Sequence, residues 1–203
     1  MRVWMLAILV GCGGASLEDD DDDGGGLIFP GETDEPGDGQ SVEIETTMGT
    51  LVVALDADAA PITVENFLAY VDDGFYDGAD GMGATVFHRV IDGFVVQGGG
   101  FTEGGGKKAT DDAIVLESDN GLFNRAGTIA MARTNSPDSA TSQFYFNLVD
   151  NDFLDHQDAA SPGYAVFGAL IDGVDVLDAI GEVGTDGSDW PVEDVVITAC
   201  QRR

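Results

Sequence analysis

Four polar side chains in this sequence lie directly beside short apolar runs. They are Arg89, Gln97, Arg133 and Gln143. Arginine and glutamine can orient a ligand through hydrogen bonds, and that role needs no tuned pKa. A pocket that combines apolar walls with a few oriented donors has this composition. The alternative is that Arg89 pairs with a buried acid, and the pattern by itself favours neither interpretation.

Metal-dependent and covalent catalysis are disfavoured by the residues that are present. The two histidines, His88 and His156, form no HExxH pattern, and Cys12 and Cys200 stand at opposite ends of the chain. This spacing suits neither a metal site nor a disulfide framework. No serine lies in a G-x-S-x-G turn. We expect no metal and no cofactor, and we interpret His88 as a hydrogen-bonded structural residue and His156 as a surface-loop residue.

Two glycine-rich stretches, 98–100 and 104–106, have the composition of a phosphate-binding loop but not its spacing. Relative to Lys107, the first glycine of such a loop is replaced by Phe101, and Lys108 stands where serine or threonine is needed. We therefore interpret both stretches as turn and bulge glycines.

The charge of the chain excludes nucleic acids as partners. It carries 38 acidic and 8 basic residues, a formal net charge of −30, and such a surface repels phosphate backbones. A hydrophobic content of 43% is typical of a globular protein. No apolar run reaches the roughly 18 residues of a transmembrane helix, so we expect contact with a membrane only through a lipid anchor.

Residues 1–12 resemble a bacterial lipoprotein signal. Arg2 is followed by a mostly apolar run, and the box 9–12, LVGC, ends in Cys12. The resemblance implies that Cys12 becomes the lipidated first residue. Because Gly13 is not an aspartate, it also implies export to the outer membrane, facing the periplasm or the exterior. A plain secretory signal and a buried N-terminal strand are the alternatives.

Residues 13–40 are rich in Gly, Asp, Glu and Pro and contain no basic residue. Such a segment cannot bury enough apolar surface to offset the entropy of ordering it. We predict a flexible, self-repelling acidic tether between the signal and a domain over residues 41–203.

The domain opens with a predicted hairpin and a helix. Alternating apolar residues over 42–46 and an apolar run over 51–55 predict two strands joined by a turn at Met48-Gly49-Thr50. Pro61 suits a first helical turn, apolar residues follow at helical spacing, and Gly74 ends the pattern.

The rest of the domain alternates short apolar runs with Gly, Asn and Asp turns. These runs predict strands, and one longer segment predicts a second helix at 174–180. The predicted strands are 86–87, 94–96, 128–132, 144–148, 165–167 and 195–197. Many strands with two helices predict a barrel capped by helices rather than a parallel sheet.

Three segments resemble the sequence signatures of cyclophilins. Residues 87–101, FHRVIDGFVVQGGGF, resemble the family motif FHRVI-x-GF-x-x-QGG-x-F. Residues 127–133, GTIAMAR, and 142–146, SQFYF, are similar to the family segments GT-[LI]-x-MA-[RN] and SQF-[FY]. Shorter matches occur in the family order at 66–67, 74–76, 153–155 and 166–168.

This resemblance implies a mainly β fold, a closed eight-stranded antiparallel barrel capped by two α-helices. It implies a monomeric peptidyl-prolyl cis-trans isomerase that binds proline-containing segments of client proteins and assists the folding of exported proteins. One alternative is a binding module, a chaperone or scaffold whose turnover is incidental, and another is a structural envelope protein. The presence of Arg89, Phe94 and Gln97 favours the enzyme.

The resemblance also implies roles for individual residues. It makes Arg89 the catalytic arginine, with Phe94 and Gln97 as its catalytic neighbours. It places eight further residues in the substrate site, with the backbone of Arg133 binding a substrate carbonyl. These residues are Val95, Ala132, Arg133, Gln143, Tyr145, Phe153, Leu154 and Tyr164.

The chain departs from the family pattern at three of these positions. Val95 replaces the usual Met, Phe153 replaces the Trp of cyclosporin-sensitive members, and Tyr164 replaces a common His. The last two replacements resemble bacterial members, and together the three imply an active enzyme that binds cyclosporin weakly. The Gly- and Asp-rich stretch 77–84 is interpreted as an inserted surface loop.

Overall fold

The computed structural model describes residues 40–203. The signal at 1–12, the lipidation site Cys12 and the tether over 13–39 lie outside the described residues and stay predictions. Among the helices of the described part, none combines the length and the apolar character needed to cross a membrane.

Eight antiparallel strands form one sheet that is nearly closed into a barrel, as predicted. The sheet order is β3-β4-β6-β5-β7-β2-β1-β8. Its two ends meet where Val86 bridges Val196 and the Phe87 amide donates to the Val195 carbonyl at 2.9 Å. The strands are β1 Ser41–Thr46, β2 Gly49–Leu55, β3 Thr85–Ile91, β4 Val95–Thr102, β5 Thr128–Met131, β6 Phe144–Asn147, β7 Val166–Asp172 and β8 Ile197–Arg202.

Two α-helices accompany the barrel, α1 Pro61–Asp72 and α2 Val174–Gly181, which confirms the predicted pair. Pro61 occupies the start of α1, where its missing amide hydrogen is not needed. The helix ends before Gly74, whose φ of +66° is strained for any residue with a side chain. Two short 3-10 helices, η1 Glu103–Gly105 and η2 Asp152–Leu154, lie in the loops.

Strand alternation divides the apolar residues into an inner core and an outer cluster. Phe144 and Phe146 of β6 belong to the large core inside the barrel. Tyr145 lies between them in sequence, so its side chain leaves the opposite face of the sheet and packs with Val95 of β4. The outer cluster provides an apolar floor on the outside of the barrel.

The structure corrects the bounds of most predicted strands by one or more residues, and the first turn and the last strand show why. The hairpin turn lies at Thr47-Met48, because Gly49 and Thr50 already pair within β2. The last strand begins at Ile197 rather than at residue 195, because its ladder with β1 starts opposite Thr46.

The predicted surface loop 77–84 is anchored to the barrel by a buried lysine. Lys108, 6% exposed, donates from Nζ to the carbonyls of Phe75 at 2.6 Å and Gly83 at 2.8 Å. Its Nζ also lies 2.8 Å from the carboxylate of Asp80. Three partners satisfy the three donors of the ammonium group. This loop is therefore fixed by a buried, paired charge, although its Met82 is exposed.

Candidate active site on the outer face of the barrel

A cavity of about 200 Å³ opens above the outer apolar cluster. It brings together all the predicted site residues of the domain except Gln143 and Phe153. Its walls are formed by Arg89, Phe94, Val95, Gln97, Ala132, Arg133, Tyr145, Leu154 and Tyr164. Residues far apart in sequence therefore meet in one depression that combines aromatic and aliphatic side chains with two arginines and a glutamine.

The register of three adjacent strands aligns the centre of this cavity. Arg89 of β3 pairs with Gln97 of β4, and Gln97 pairs with Tyr145 of β6. Neighbouring strands lie about 4.8 Å apart, so the three side chains form a row across the sheet. The row places a guanidinium, an amide and an aromatic ring side by side at the cavity.

Arg89 is not held by a buried acid. Its nearest ion-pair partner within residues 40–203 is Asp189, whose Oδ2 lies 3.6 Å from the Arg89 Nε. Both side chains are partly exposed, at 39% for Arg89 and 46% for Asp189. The guanidinium carbon also lies 6.0 Å from the centre of the Phe94 ring. The charge of Arg89 therefore remains available to a ligand in the cavity.

Phe153 lies beside the cavity rather than in its wall. It is 68% exposed, and its ring stacks on that of Phe94 with centroids 5.7 Å apart. The short helix η2 explains the placement, because it turns Leu154 towards the cavity and leaves Phe153 outside. Phe153 thus contacts the cavity only through Phe94.

A second cavity of about 250 Å³ adjoins the first, and Gln143 lies in its wall. The two cavities share Gln97, Ala132 and Arg133. The Gln97 Nε2 donates to the Gln143 Oε1 at 3.0 Å across their boundary. Gly100 leaves room for this pair, since a Cβ at that position would lie 2.5 Å from the Gln143 side chain and displace it. Together the cavities form one groove long enough for more than a single residue.

The side chain of Arg133 organises the groove wall. Its Nε and Nη2 donate to the Gly163 carbonyl at 2.9 and 2.6 Å, and its guanidinium lies 4.4 Å from the centre of the Tyr164 ring. These contacts fix Tyr164 against the cavity. The side chain is thereby occupied, and contact between the Arg133 backbone and substrate stays a prediction.

A buried amide network under the cavity was not predicted from the sequence. The Tyr145 hydroxyl donates to the Asn124 Oδ1 at 2.7 Å, and the Asn124 Nδ2 donates to Asp155 at 2.9 Å. The Asn147 Nδ2 donates to the same Asn124 oxygen at 3.2 Å, and the Asn151 Nδ2 donates to the Asn147 Oδ1 at 2.8 Å. Buried amides with paired hydrogen bonds hold a unique arrangement.

This network holds the floor of the cavity in one arrangement and surrounds the Tyr145 phenol. Burial raises the pKa of Tyr145 well above its ordinary value, with smaller contributions from Tyr164 and Asp155. Its hydroxyl therefore stays protonated and donates. Asn151 also donates from Nδ2 to the Phe94 carbonyl at 3.2 Å, so one network supports both the floor and the aromatic wall. The one feature of the sequence that could have indicated this network is Asn147, an amide side chain in an otherwise apolar strand.

His88, beside Arg89, is a buried residue that packs in an aromatic cluster. Its ring lies 4.7 Å from the Phe101 ring and 5.8 Å from the Trp190 ring, measured between centroids. Its Nδ1 has no hydrogen-bond partner among the described residues. Burial and, less strongly, the charge of Arg89 lower the pKa of His88 to about 4.

This depressed pKa predicts a loss of stability in mild acid. In the unfolded chain, histidine binds its proton near pH 6.5, whereas folded His88 stays neutral down to about pH 4. The unfolded state therefore gains protons first as the pH falls from 6.5 towards 4. We expect the free energy of unfolding to fall by about 2 kcal/mol between pH 7 and pH 5 from this group.

Urea unfolding of the wild type and of His88→Phe at both pH values measures this loss. The phenylalanine keeps an aromatic ring in the cluster with Phe101 and Trp190 but cannot bind a proton. All other titrating groups are shared by the two proteins. An equal fall in stability in both proteins would contradict the assignment to His88.

Comparison with protein-family models places residues 41–202 in the family described as cyclophilin type peptidyl-prolyl cis-trans isomerase/CLD. Among curated proteins, the chain is 50% identical over 167 residues to peptidyl-prolyl cis-trans isomerase cyp18 of Streptomyces antibioticus, covering 79% of this chain and 97% of that relative. It is 48% identical over 162 residues to peptidyl-prolyl cis-trans isomerase B of Escherichia coli (strain K12), covering 77% and 95%.

The fold is similar to that of a solved structure as well. A crystal structure of a cyclophilin type peptidyl-prolyl cis-trans isomerase from Cryptosporidium parvum, determined in the presence of the dipeptide Ala-Pro, matches with a TM-score of 0.67 at 28% identity. The match covers 81% of this chain and 99% of that one.

Proposed function

This chain belongs to the cyclophilin-type peptidyl-prolyl cis-trans isomerase family, and on that premise we propose how its residues act on X-Pro bonds. The enzyme accelerates rotation about these peptide bonds. The observation that carries the mechanism is the row of Arg89, Gln97 and Tyr145 at one cavity. Arg89, Phe94 and Gln97 are the catalytic residues.

The reaction needs no nucleophile and no proton transfer. An X-Pro bond resists rotation by roughly 18 to 20 kcal/mol because twisting it breaks the amide resonance. As the bond twists, the lone pair localises on the proline nitrogen, and a guanidinium donor can hydrogen-bond to it there. Arg89 provides this donor, and the bond is strongest in the twisted state, as catalysis requires.

Arg89 supplies only part of the rate enhancement. An enhancement of about a million-fold corresponds to about 8 kcal/mol, whereas one charged hydrogen bond contributes about 1.5 to 3 kcal/mol. The remainder comes from removing water around the proline ring and from holding the flanking peptide. Phe94, Val95, Tyr145, Leu154 and Tyr164 form the proline site.

The second cavity receives the peptide segment that precedes proline. Gln97 and Gln143, joined by their 3.0 Å hydrogen bond, border this segment, and the backbone of Arg133 binds one of its carbonyls. The peptide segment on one side of the X-Pro bond is thereby held in place while the segment on the other side rotates.

Isomerisation of a short peptide of the Ala-Pro-Phe type by the purified full chain tests this function. We expect strong acceleration of cis-to-trans exchange in the presence of catalytic amounts of protein. A folded chain that binds the peptide without accelerating exchange would instead support the alternative, a proline-peptide-binding chaperone or scaffold.

We also propose that the enzyme works as an outer-membrane lipoprotein, facing the periplasm or the exterior, on exported client proteins. The lipoprotein-like box ending in Cys12 and the acidic stretch that follows it support this location. Metabolic labelling with palmitate in a bacterial host should mark the wild type and not Cys12→Ser. An unlabelled wild type would remove the anchor.

A further inference from the structure

A loop near the carboxyl end of the chain packs against the strand that carries Arg89. We call residues 184–194 the clamp loop. It closes on itself where the Asp186 amide donates to the Trp190 carbonyl at 2.8 Å and the Val192 amide donates to the Gly184 carbonyl at 2.8 Å. The Asp186 Oδ1 accepts from the amides of Ser188 at 2.8 Å and Trp190 at 3.1 Å. The clamp loop is therefore internally ordered.

Two contacts fix the clamp loop to β3 on either side of Arg89 in the sequence. The Val90 amide donates to the Asp189 carbonyl at 2.9 Å. Trp190 packs against His88, with ring centroids 5.8 Å apart, and its Nε1 donates to Asp194 at 2.8 Å. The position of Asp189 relative to Arg89 is thus set by a backbone hydrogen bond and an aromatic contact.

The backbone of Asp189 adopts a conformation that is uncommon for residues other than glycine. Its φ is +63°, and it is the one non-glycine residue with positive φ among residues 40–203. Such conformations persist where the surroundings impose them. This conformation accompanies the placement of the Asp189 Oδ2 3.6 Å from the Arg89 Nε.

Asp189 and Phe94 both contact the guanidinium of Arg89. Phe94 presents its ring 6.0 Å from the guanidinium carbon, and Asp189 faces the Nε. Phe94 lines the cavity and Asp189 does not. Engaging the Nε leaves the two terminal nitrogens of the guanidinium available as donors.

We propose that Asp189 is a positioning residue for Arg89, held in place by the clamp loop. This inference rests on the proposed role of Arg89 in isomerisation. The carboxylate restricts the orientations of a long, partly exposed side chain, so that less ordering is needed when the X-Pro bond twists. Because Arg89 acts mainly in the twisted state, loss of Asp189 should lower kcat and leave KM nearly unchanged.

The variant Asp189→Asn tests the charge without disturbing the backbone, because asparagine tolerates positive φ well. We expect kcat of the full chain for an Ala-Pro-Phe peptide to fall about fivefold, the factor that matches a partly exposed ion pair. KM should change less than about twofold. The control Glu193→Gln removes an equal charge from an exposed position in the same loop and should match the wild type.

Two further measurements separate positioning from a general structural effect. Asp189→Gly relieves the positive φ and also removes the carboxylate, so it should lose the same fraction of kcat without losing stability. In ¹⁵N spectra, the Nε–H resonance of Arg89 should move towards that of a free arginine in Asp189→Asn and stay in place in Glu193→Gln.

The outcomes are distinguishable. An inactive, folded wild type would overturn the proposed function itself. With an active wild type, equal kcat in Asp189→Asn and Glu193→Gln would overturn the positioning role. A loss of kcat with an unchanged Arg89 resonance, or full activity in Asp189→Gly, would overturn it as well.

Discussion

Replacing Arg89 with alanine should lower kcat/KM for an Ala-Pro-Phe peptide about 100-fold. The variant loses the charged hydrogen bond to the proline nitrogen, worth about 1.5 to 3 kcal/mol, and 1.36 kcal/mol corresponds to a factor of ten in rate. The loss should appear in kcat more than in KM, because the bond forms as the lone pair localises. Arg89 is 39% exposed, so the free energy of unfolding should hardly change.

The matched control is Arg125→Ala. Arg125 is also a partly exposed arginine, 44% exposed and paired with Asp152, but it does not line either cavity. Its removal should leave kcat/KM within a factor of two of the wild type. Arg89→Lys retains the charge without the planar fork and should recover only part of the activity. Wild-type kcat in Arg89→Ala would remove the central residue of the proposed mechanism.

Much of the barrel could be predicted from local sequence patterns. Pro61 and Gly74 bound a helix whose apolar spacing is visible in the sequence, and alternation in the short strands identified most of the sheet. The closure of the barrel followed from the resemblance rather than from periodicity. The turn predicted at Met48-Gly49-Thr50 lies at Thr47-Met48, because Gly49 and Thr50 already belong to the strand.

The residues that line the cavity were predicted through family motifs, whereas their supports were not. Asn124 and Asp155 are 31 positions apart, Lys108 and Gly83 are 25 apart, and Asp189 lies about 100 positions after Arg89 in the sequence. No local periodicity connects such pairs. A buried amide or lysine acquires its partners only when the chain has folded, so the contacts become visible only in the structure.

The placement of Phe153 separates two aromatic residues that the resemblance had grouped together. Phe94 lines the cavity, lies 6.0 Å from the Arg89 guanidinium and rests on a backbone held by Asn151. Phe153 is 68% exposed and reaches the cavity only through its stacking on Phe94. Both residues are phenylalanines, so a difference in activity between their alanine variants reports the effect of position alone.

Phe94→Ala should therefore lower kcat/KM about 30-fold, whereas Phe153→Ala should lower it less than about threefold. Burying a phenylalanine-sized apolar surface contributes about 1.5 to 3 kcal/mol, and the proline ring would lose this partner in Phe94→Ala. KM should rise because the proline ring is bound in the ground state, and kcat should fall because more water then enters the cavity around the twisting bond. Measuring kcat and KM of both variants with the peptide tests this difference. Equal losses of kcat/KM would mean that Phe153 also contacts the substrate.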